Sequence, residues 1–256
     1  MTLTTVQPLT GRRALVTGST SGIGRAIAIA LAREGANVVV SGRGKDAGGA
    51  VVETIRAAGG AAHFVRADLA ESGRAATELA QAATDALGGP VDLLVNNAAL
   101  LIPAQSLREV DERLADLALA VNVKAPALLT AAVVPAMIEA GAGVIVNTGS
   151  LSGLAGNAVS AFYGATKAAL HSLTTSWAAE LAPKGIRVNA VAPGPTMTQE
   201  NAAYHETLRS LAAITPDRRP GTAAEVAAAV VFLAGDDAAH IHGVILPIDG
   251  GHQAVR

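Results

Sequence analysis

Apolar positions along this chain fall into short continuous runs separated by longer stretches of helical period. The runs are Arg13–Thr17, Asn37–Ser41, Ala61–Arg66, Val91–Val95, Gly143–Thr148, Arg187–Val191 and Val244–Ile248. They are mostly unbroken by polar alternation, the pattern of strands covered on both faces. Between them lie helical patterns over Arg25–Glu34, Val51–Ala58, a stretch from near Ser72 to Leu87, a long stretch from about Asp111 to Ala140, Ala161–Ala182 and Ala223–Ala234. Gly35, Gly59-Gly60, Gly88-Gly89-Pro90 and Pro183-Lys184-Gly185 mark helix stops, and Thr222 caps the last helix. This alternation predicts an α/β chain with a doubly wound parallel sheet, helices on both faces, and ligand groups gathered at the carboxyl ends of the strands. No linker or repeat divides residues 1–256, so one domain is expected. Leu100–Val110 reads as a loop. Periodicity fades over residues 199–220, which reads as a lid over a site or as an ordinary surface excursion.

Composition narrows the function classes. Half of the 256 residues are apolar, 16% are charged and the net charge is −2. One substantial core is affordable, and nothing electrostatic invites nucleic acid or an anionic membrane. With no cysteine, disulfides, thiol catalysis and cysteine metal sites are excluded. The six histidines are scattered, and the close pair His240 and His242 makes a poor metal site, so no metal is expected. Ala125–Val146 is apolar enough to suggest a membrane span, but it holds Pro135, Glu139 and two glycines and divides into a helix and a strand. Met1–Thr10 lacks a basic segment followed by an apolar one, so a cytoplasmic protein is expected.

Candidate chemistry sits at the strand ends. Gly18-Ser19-Thr20-Ser21-Gly22-Ile23-Gly24 joins a strand to a helix, where free N–H groups and close backbone approach suit a pyrophosphate. The second strand ends at Gly42-Arg43, offering a guanidinium and no carboxylate, which favours a ribose 2′-phosphate. Asp68, before Leu69, either accepts from an adenine amino group or caps the helix beginning near Ser72. Asn96-Asn97-Ala98-Ala99 either shapes a cofactor edge or bonds the backbone. Asn122 is a poor helix former inside a long helical pattern; it either kinks the helix and holds a water or bonds a neighbouring element. Tyr163 and Lys167 stand one helical turn apart, and the loop after Ser150 can bring its hydroxyl near the phenol. An ammonium beside a phenol favours phenolate, so Lys167 is expected to lower the tyrosine pKa, while Ser150 bonds a developing oxyanion.

Taken together, Thr17-Gly18-x-x-x-Gly22-Ile23-Gly24, Asp68, Asn96-Asn97-Ala98, Asn122, Ser150, Tyr163-x-x-x-Lys167 and Pro193-Gly194 with Thr198 resemble the short-chain dehydrogenase/reductase family over essentially the whole chain. The resemblance implies a single-domain Rossmann fold. It implies Tyr163 as acid or base, Lys167 as its partner and ribose ligand, Ser150 as the carbonyl-orienting group, and Asn122 as holder of a relay water. The implied cofactor contacts are Gly18, Ser21, Gly22, Ile23, Gly24, Arg43, Asp68, Leu69, Asn96 (a ribose contact), Ala98, Tyr163, Lys167, Pro193, Gly194, Thr196 and Thr198. Ala99 departs from the family's usual glycine, and Ser21 is not the basic residue some NADP-preferring members carry. The expected activity is hydride transfer between NADP(H) and a ketone or secondary alcohol, with NAD(H) possible and a 3-oxoacyl thioester a strong candidate substrate. The expected partners are a small-molecule carbonyl or alcohol and further copies of the chain, as a homotetramer or homodimer through the helices beginning near Asp111 and Ala161. A non-catalytic dinucleotide-binding regulator is the alternative outside enzymology.

Overall fold

A computed structural model describes residues 7–71, 73–156 and 160–255. The strands are β1 (Arg13–Val16), β2 (Asn37–Gly42), β3 (Ala61–Arg66), β4 (Leu93–Asn96), β5 (Gly143–Thr148), β6 (Ile186–Pro193), the short β7 (Thr196–Met197) and β8 (Gly221–Thr222), and β9 (Ile245–Ile248). Seven of them form one sheet in the order β3-β2-β1-β4-β5-β6-β9, and β7 pairs with β8 in a small second sheet. All pairings are parallel. The helices are α1 (Gly22–Arg33), α2 (Lys45–Ala57), α3 (Gly73–Leu87), α4 (Glu112–Leu119), α5 (Ala125–Ala140), α6 (Ala161–Leu181), α7 (His205–Ala212) and α8 (Ala223–Ala234). The start of α3 near Ser72 lies outside the described residues.

Side-chain alternation along the strands feeds two cores. Ala14, Val16, Val38, Val40, Val144 and Val146 face one layer, where Ile27 and Leu31 of α1, Ile55 of α2 and Val230 and Leu233 of α8 cover them. Leu15, Val39, Leu94 and Ile145 face the other, under Leu79 of α3, Leu129, Val133 and Met137 of α5, and Leu181 of α6. Each such aliphatic side chain, removed from water, contributes about 1.5–3 kcal/mol before entropy is counted. Both sheet faces are thereby closed, and the carboxyl edge remains open for ligands. The sheet order reverses between β1 and β4, each leading away from the other's connections, so the crevice opens above those two strands.

Two local features differ from the periodicity. Helix α2 begins at Lys45, ahead of the expected Val51, despite Gly48 and Gly49. Gly48 is buried beneath the Phe64 ring, where a Cβ would collide with the aromatic carbons, so packing against β3 explains the glycine inside a helix. The long pattern from Asp111 is not one continuous α-helix. A π turn over Ala120–Lys124 joins α4 to α5. Glu112–Ala140 is long and apolar enough to cross a membrane, yet Leu129, Val133 and Met137 of this run lie in the core.

At the opposite side of the sheet, buried Arg187 of β6 reaches the carboxyl end of α8. Its guanidinium donates to the carbonyls of Leu233 at 2.6 Å, Ala234 at 3.1 Å and Gly235 at 2.9 Å. The other end of α8 has the expected Thr222 cap. Thr222 Oγ1 accepts from Glu225 N at 3.2 Å, and Glu225 Oε2 accepts from Thr222 N at 2.7 Å.

Candidate active site

A cavity of about 810 Å³ runs along the carboxyl edge of the sheet. Its walls include Gly18, Ser21, Gly22, Ile23, Gly24, Arg43, Asp68, Leu69, Ala98, Ser150, Tyr163, Lys167, Pro193, Gly194, Thr196 and Thr198. One opening therefore holds sixteen of the eighteen residues expected at the site. Asn96 and Asn122 are the two set back from it.

The glycine loop is built for close approach. Gly18 and Gly22 have φ of +60° and +53°, which favours glycine. A Cβ on Gly18 would lie 2.8 Å from Ala98 Cα, and one on Gly24 would collide with the Gly18 carbonyl and Asn97 Nδ2. Ser19 fastens the loop to the sheet: Ser19 Oγ donates to Val16 O at 2.7 Å and accepts from Ser41 N at 2.9 Å. Thr17 Oγ1 accepts from Asn97 N and Ala98 N, both at 3.0 Å, and Asn97 Nδ2 donates to Thr17 O at 2.9 Å and Gly18 O at 3.1 Å. The cradle above the first turn of α1 is thus rigid and shaped for a phosphate group.

Asn97, rather than Asn96, is the amide at this edge. Asn96 is buried and points into the sheet core, where Nδ2 donates to Asn147 Oδ1 at 2.9 Å and Thr130 Oγ1 at 3.2 Å. Its side chain is therefore absent from the cavity wall. Asp68 lines the cavity while its Oδ1 accepts from Ala70 N at 3.0 Å, closing a turn before α3. Exposed Arg43 stands at the same end. A Cβ at Gly42 would sit 2.8 Å from Thr20 Cγ2, so the packing itself keeps a carboxylate side chain away from this position.

At the other end, β5 delivers Ser150 and α6 delivers Tyr163 and Lys167. Ser150 and Tyr163 line the cavity together, the serine hydroxyl lowering the phenol's pKa, and Ser150 Oγ accepts from Ser152 N at 3.1 Å. Lys167 is buried, with Nζ 5.8 Å from the Tyr163 ring centroid, and donates to the Thr148 carbonyl at 2.8 Å. Burial lowers the Lys167 pKa to about 8 and raises that of Tyr163 to about 12, the latter against a smaller lowering by Ser150. The expectation that Lys167 lowers the phenol's pKa is therefore reversed in the cofactor-free protein. The ammonium faces a backbone carbonyl, and desolvation of the phenolate dominates.

Asn122 is fully buried in the π turn. Its Oδ1 accepts from Leu100 N at 2.7 Å, and its Nδ2 donates to Leu100 O at 3.1 Å and Thr166 Oγ1 at 3.0 Å. Its side-chain bonds match the reading in which Asn122 bonds neighbouring elements, and the π turn breaks the helix where the kink was expected. Asn122 ties the loop after β4 to the residue preceding Lys167.

Residues 18–253 match a family model described as enoyl-(acyl carrier protein) reductase. Human dehydrogenase/reductase SDR family member 4 is 38% identical over 260 residues, covering 97% of this chain and 90% of that protein. The chain belongs to the short-chain dehydrogenase/reductase family. A cis-4-hydroxycyclohexanecarboxylate dehydrogenase from Sinomonas cyclohexanicum is 40% identical over 247 residues, covering 95% of this chain and 97% of its own. The crystal structure of a 3-oxoacyl (acyl-carrier-protein) reductase from Agrobacterium tumefaciens C58 with NADP bound superposes with a TM-score of 0.90 at 35% identity, covering 98% of each chain.

This short-chain dehydrogenase/reductase is an oxidoreductase whose cradle fits the dinucleotide its family uses. The glycine loop leaves room for a phosphate group, and Asp68, Leu69 and Arg43 line the same cavity. Among the described residues no group of three or more His, Asp or Glu side chains is placed to hold a metal.

Two further features escape the motif pattern. His171 lies one turn beyond Lys167, behind the Ser150 loop. Its Nε2 accepts from Ser150 N at 3.4 Å, and a Cβ on Gly149 would collide with its ring. Burial lowers its pKa first, with a raising contact from the Gly153 backbone and a further lowering by Lys167. The i, i+4 series Tyr163, Lys167, His171 is the sequence signal for it. The weakly periodic stretch 199–220 also holds more order than its sequence suggests. Helix α7 lies within it, and Tyr204, Leu208, Leu211 and Ile214 from this stretch line the cavity. Within it, His205 bonds the Thr198 carbonyl at 2.9 Å, and Arg219 bonds Glu225 at 2.7 Å.

Proposed function

We propose that this protein is an NADP(H)-dependent oxidoreductase that moves hydride between nicotinamide and the carbon of a ketone or secondary alcohol, with Tyr163 as proton donor in the reducing direction. The observation that carries this is the meeting of Ser150, Tyr163 and buried Lys167 in the same cavity as the glycine cradle. When bound, the dinucleotide supplies the hydride; the chain supplies the proton and the binding of oxygen. A phenol with its pKa raised to about 12 is held as an acid, suited to protonating an alkoxide as it forms. Ser150 offers a second hydrogen bond to the same oxygen. Lys167 is the group to bind ribose hydroxyls, and Arg43 the group to select the 2′-phosphate over NAD(H), an assignment supported by the NADP-bound relative.

The cavity end beyond Tyr163 is lined by Leu117, Val121, Leu151, Leu208 and Leu211, which favours a carbonyl compound with an apolar body. The relative named for a hydroxycyclohexanecarboxylate agrees with an alicyclic substrate, and the NADP-bound reductase keeps a 3-oxoacyl thioester as the second reading. The stretch 199–220, with α7, would act as the lid.

The test pairs Tyr163→Phe with Arg43→Ala. Tyr163→Phe should retain NADPH binding by nicotinamide fluorescence and lose turnover of cyclic ketones by about 100-fold or more. Arg43→Ala should weaken NADPH about tenfold or more while leaving NADH nearly unchanged. Retained turnover in Tyr163→Phe would overturn the assignment of the acid, and equal loss of both cofactors would overturn that of Arg43.

A further inference from the structure

Among the cavity's polar side chains that the proposed chemistry leaves without a role are Thr148 and His252. His252 is buried at 7% exposure and lines the cavity, yet among the described residues neither Nδ1 nor Nε2 has a hydrogen-bond partner. Burying an imidazole with both nitrogens unpaired is costly, and native interiors pair such atoms. A buried, unpaired ring in a ligand cavity points to a partner on the ligand.

Its placement is built with some care. His252 follows β9, and its own N–H donates to Asp249 O at 3.3 Å. Asp249 holds the turn from inside, Oδ1 accepting from Gly251 N at 3.0 Å and Oδ2 from Gln253 N at 2.9 Å. Gly250 and Gly251 adopt φ of +64° and +85°. They also pack where no side chain fits: a Cβ on Gly250 would collide with the Asp217 carboxylate, and one on Gly251 would lie 3.0 Å from Pro216 Cγ. Asp217 N in turn donates to Gly250 O at 3.2 Å. The turn is therefore locked to the base of the segment that supplies Leu208, Leu211 and Ile214 to the cavity. That is the substrate end. Arg43 and Asp68 stand at the far end, on the strands that carry the adenosine side. Glu200 and Thr198 both approach Gly22, beside the cradle.

We propose that His252 is a specificity-determining residue, hydrogen-bonding an oxygen of the substrate other than the one held by Ser150 and Tyr163. The substrate is then a mostly apolar, ring-sized carbonyl compound carrying a second hydrogen-bonding oxygen. The apolar wall accepts the carbon body, and the His252 imidazole tells an oxygen substituent from a methyl. This rests on the reading of the cavity as a ketone-reductase site. An imidazole can donate or accept, so it serves a carbonyl, hydroxyl or carboxylate oxygen. A site built to bond an oxygen discriminates strongly against a ligand lacking it, because the buried group is then left unpaired.

The probes are 1,4-cyclohexanedione and 4-methylcyclohexanone, matched in size but not in hydrogen bonding. In NADPH-linked turnover, His252→Leu should lower kcat/KM for the dione by about 10–100-fold, mainly through KM, and change it less than about threefold for the methyl ketone. His252→Gln should restore part of the loss. In 15N-histidine-labelled protein loaded with NADP⁺, which cannot reduce a ketone, the His252 ring resonances should shift with the dione and not with the methyl ketone. Equal loss for both ketones, or for neither, would overturn the proposal. So would a resonance shift fully produced by NADP⁺ alone, which would assign His252 to the cofactor. If the wild type reduces neither ketone, the labelled-histidine measurement still decides: a dione-specific shift supports the role of His252, and its absence ends it. Retained activity in Tyr163→Phe counts against the reductase reading and leaves the His252 result standing.

Discussion

Tyr163 should titrate near pH 12 in the cofactor-free protein, and Tyr163→Phe should remove that step. The ring is set into the cavity wall, and desolvation of the phenolate raises its pKa from 10.0 to about 12, outweighing the Ser150 hydrogen bond. Two pH units correspond to about 2.7 kcal/mol of preference for the neutral phenol. Lys167 cannot reverse this, because its own pKa falls to about 8. The amine has lost its charge well before the phenol ionises. The sign for stability follows. Below pH 10 both folded and unfolded chains hold the phenol proton. Between pH 10 and 12 the unfolded chain has released a proton that the folded chain still binds, so stability falls as pH rises, by up to about 2.7 kcal/mol. The chain has only two tyrosines, Tyr163 and Tyr204, so tyrosinate absorbance near 295 nm is simple to divide. A stopped-flow jump from neutral to alkaline pH reads ionisation before the fold is lost. The amplitude absent from Tyr163→Phe should be centred near pH 12 and insensitive to Lys167→Met. A missing amplitude centred at or below pH 10, or one that moves upward in Lys167→Met, would refute burial as the controlling effect and restore a charge-lowered tyrosine.

Two other substitutions follow from the packing. Arg187→Met should cost about 3 kcal/mol in urea unfolding, since three carbonyls at the end of α8 lose their charged donor; a loss under about 0.5 kcal/mol would mean that those bonds are replaced freely. Gly24→Ala should leave far-ultraviolet circular dichroism native-like and weaken NADPH about tenfold or more, because the added Cβ displaces the Gly18 carbonyl and Asn97. Unchanged NADPH affinity would remove the glycine loop from the cofactor cradle.

The sheet was legible because its strands carry unbroken apolar runs, and Ala61–Arg66 and Gly143–Thr148 match the expected bounds without adjustment. The motif residues were also legible as a set, since sixteen of the eighteen line one cavity at the sheet's carboxyl edge. Choosing between Asn96 and Asn97 was another matter. Adjacent strand residues face opposite sides of a sheet, so the choice depends on a parity that the dipeptide itself does not encode. The π turn at Asn122 was read only as an awkward residue in a long helix, because a single widened turn leaves little trace in periodicity. The Tyr163 pKa needed two facts absent from spacing: how much water reaches the ring, and that Thr148 offers Lys167 another partner. His252 required the end of the chain to fold back against Asp217, a proximity between positions with no local pattern linking them.

The strand order has a consequence for how the working enzyme comes into being. β1, β2 and β4, which frame the glycine cradle, are all complete by Asn96, whereas β9 pairs with β6 only after Ile245 and brings Gly194 against Ile248 through a 3.0 Å bond. Synthesis proceeds from the amino end, and parallel pairing between distant segments is slow to form. The nucleotide half of the crevice is therefore encoded early and the carbonyl half late. The residues of the cradle leave the ribosome first, while Val230 and Leu233 of α8, which share a core with Ile27 and Leu31 of α1, come near the end, so the cradle's packing also waits for the last part of the chain.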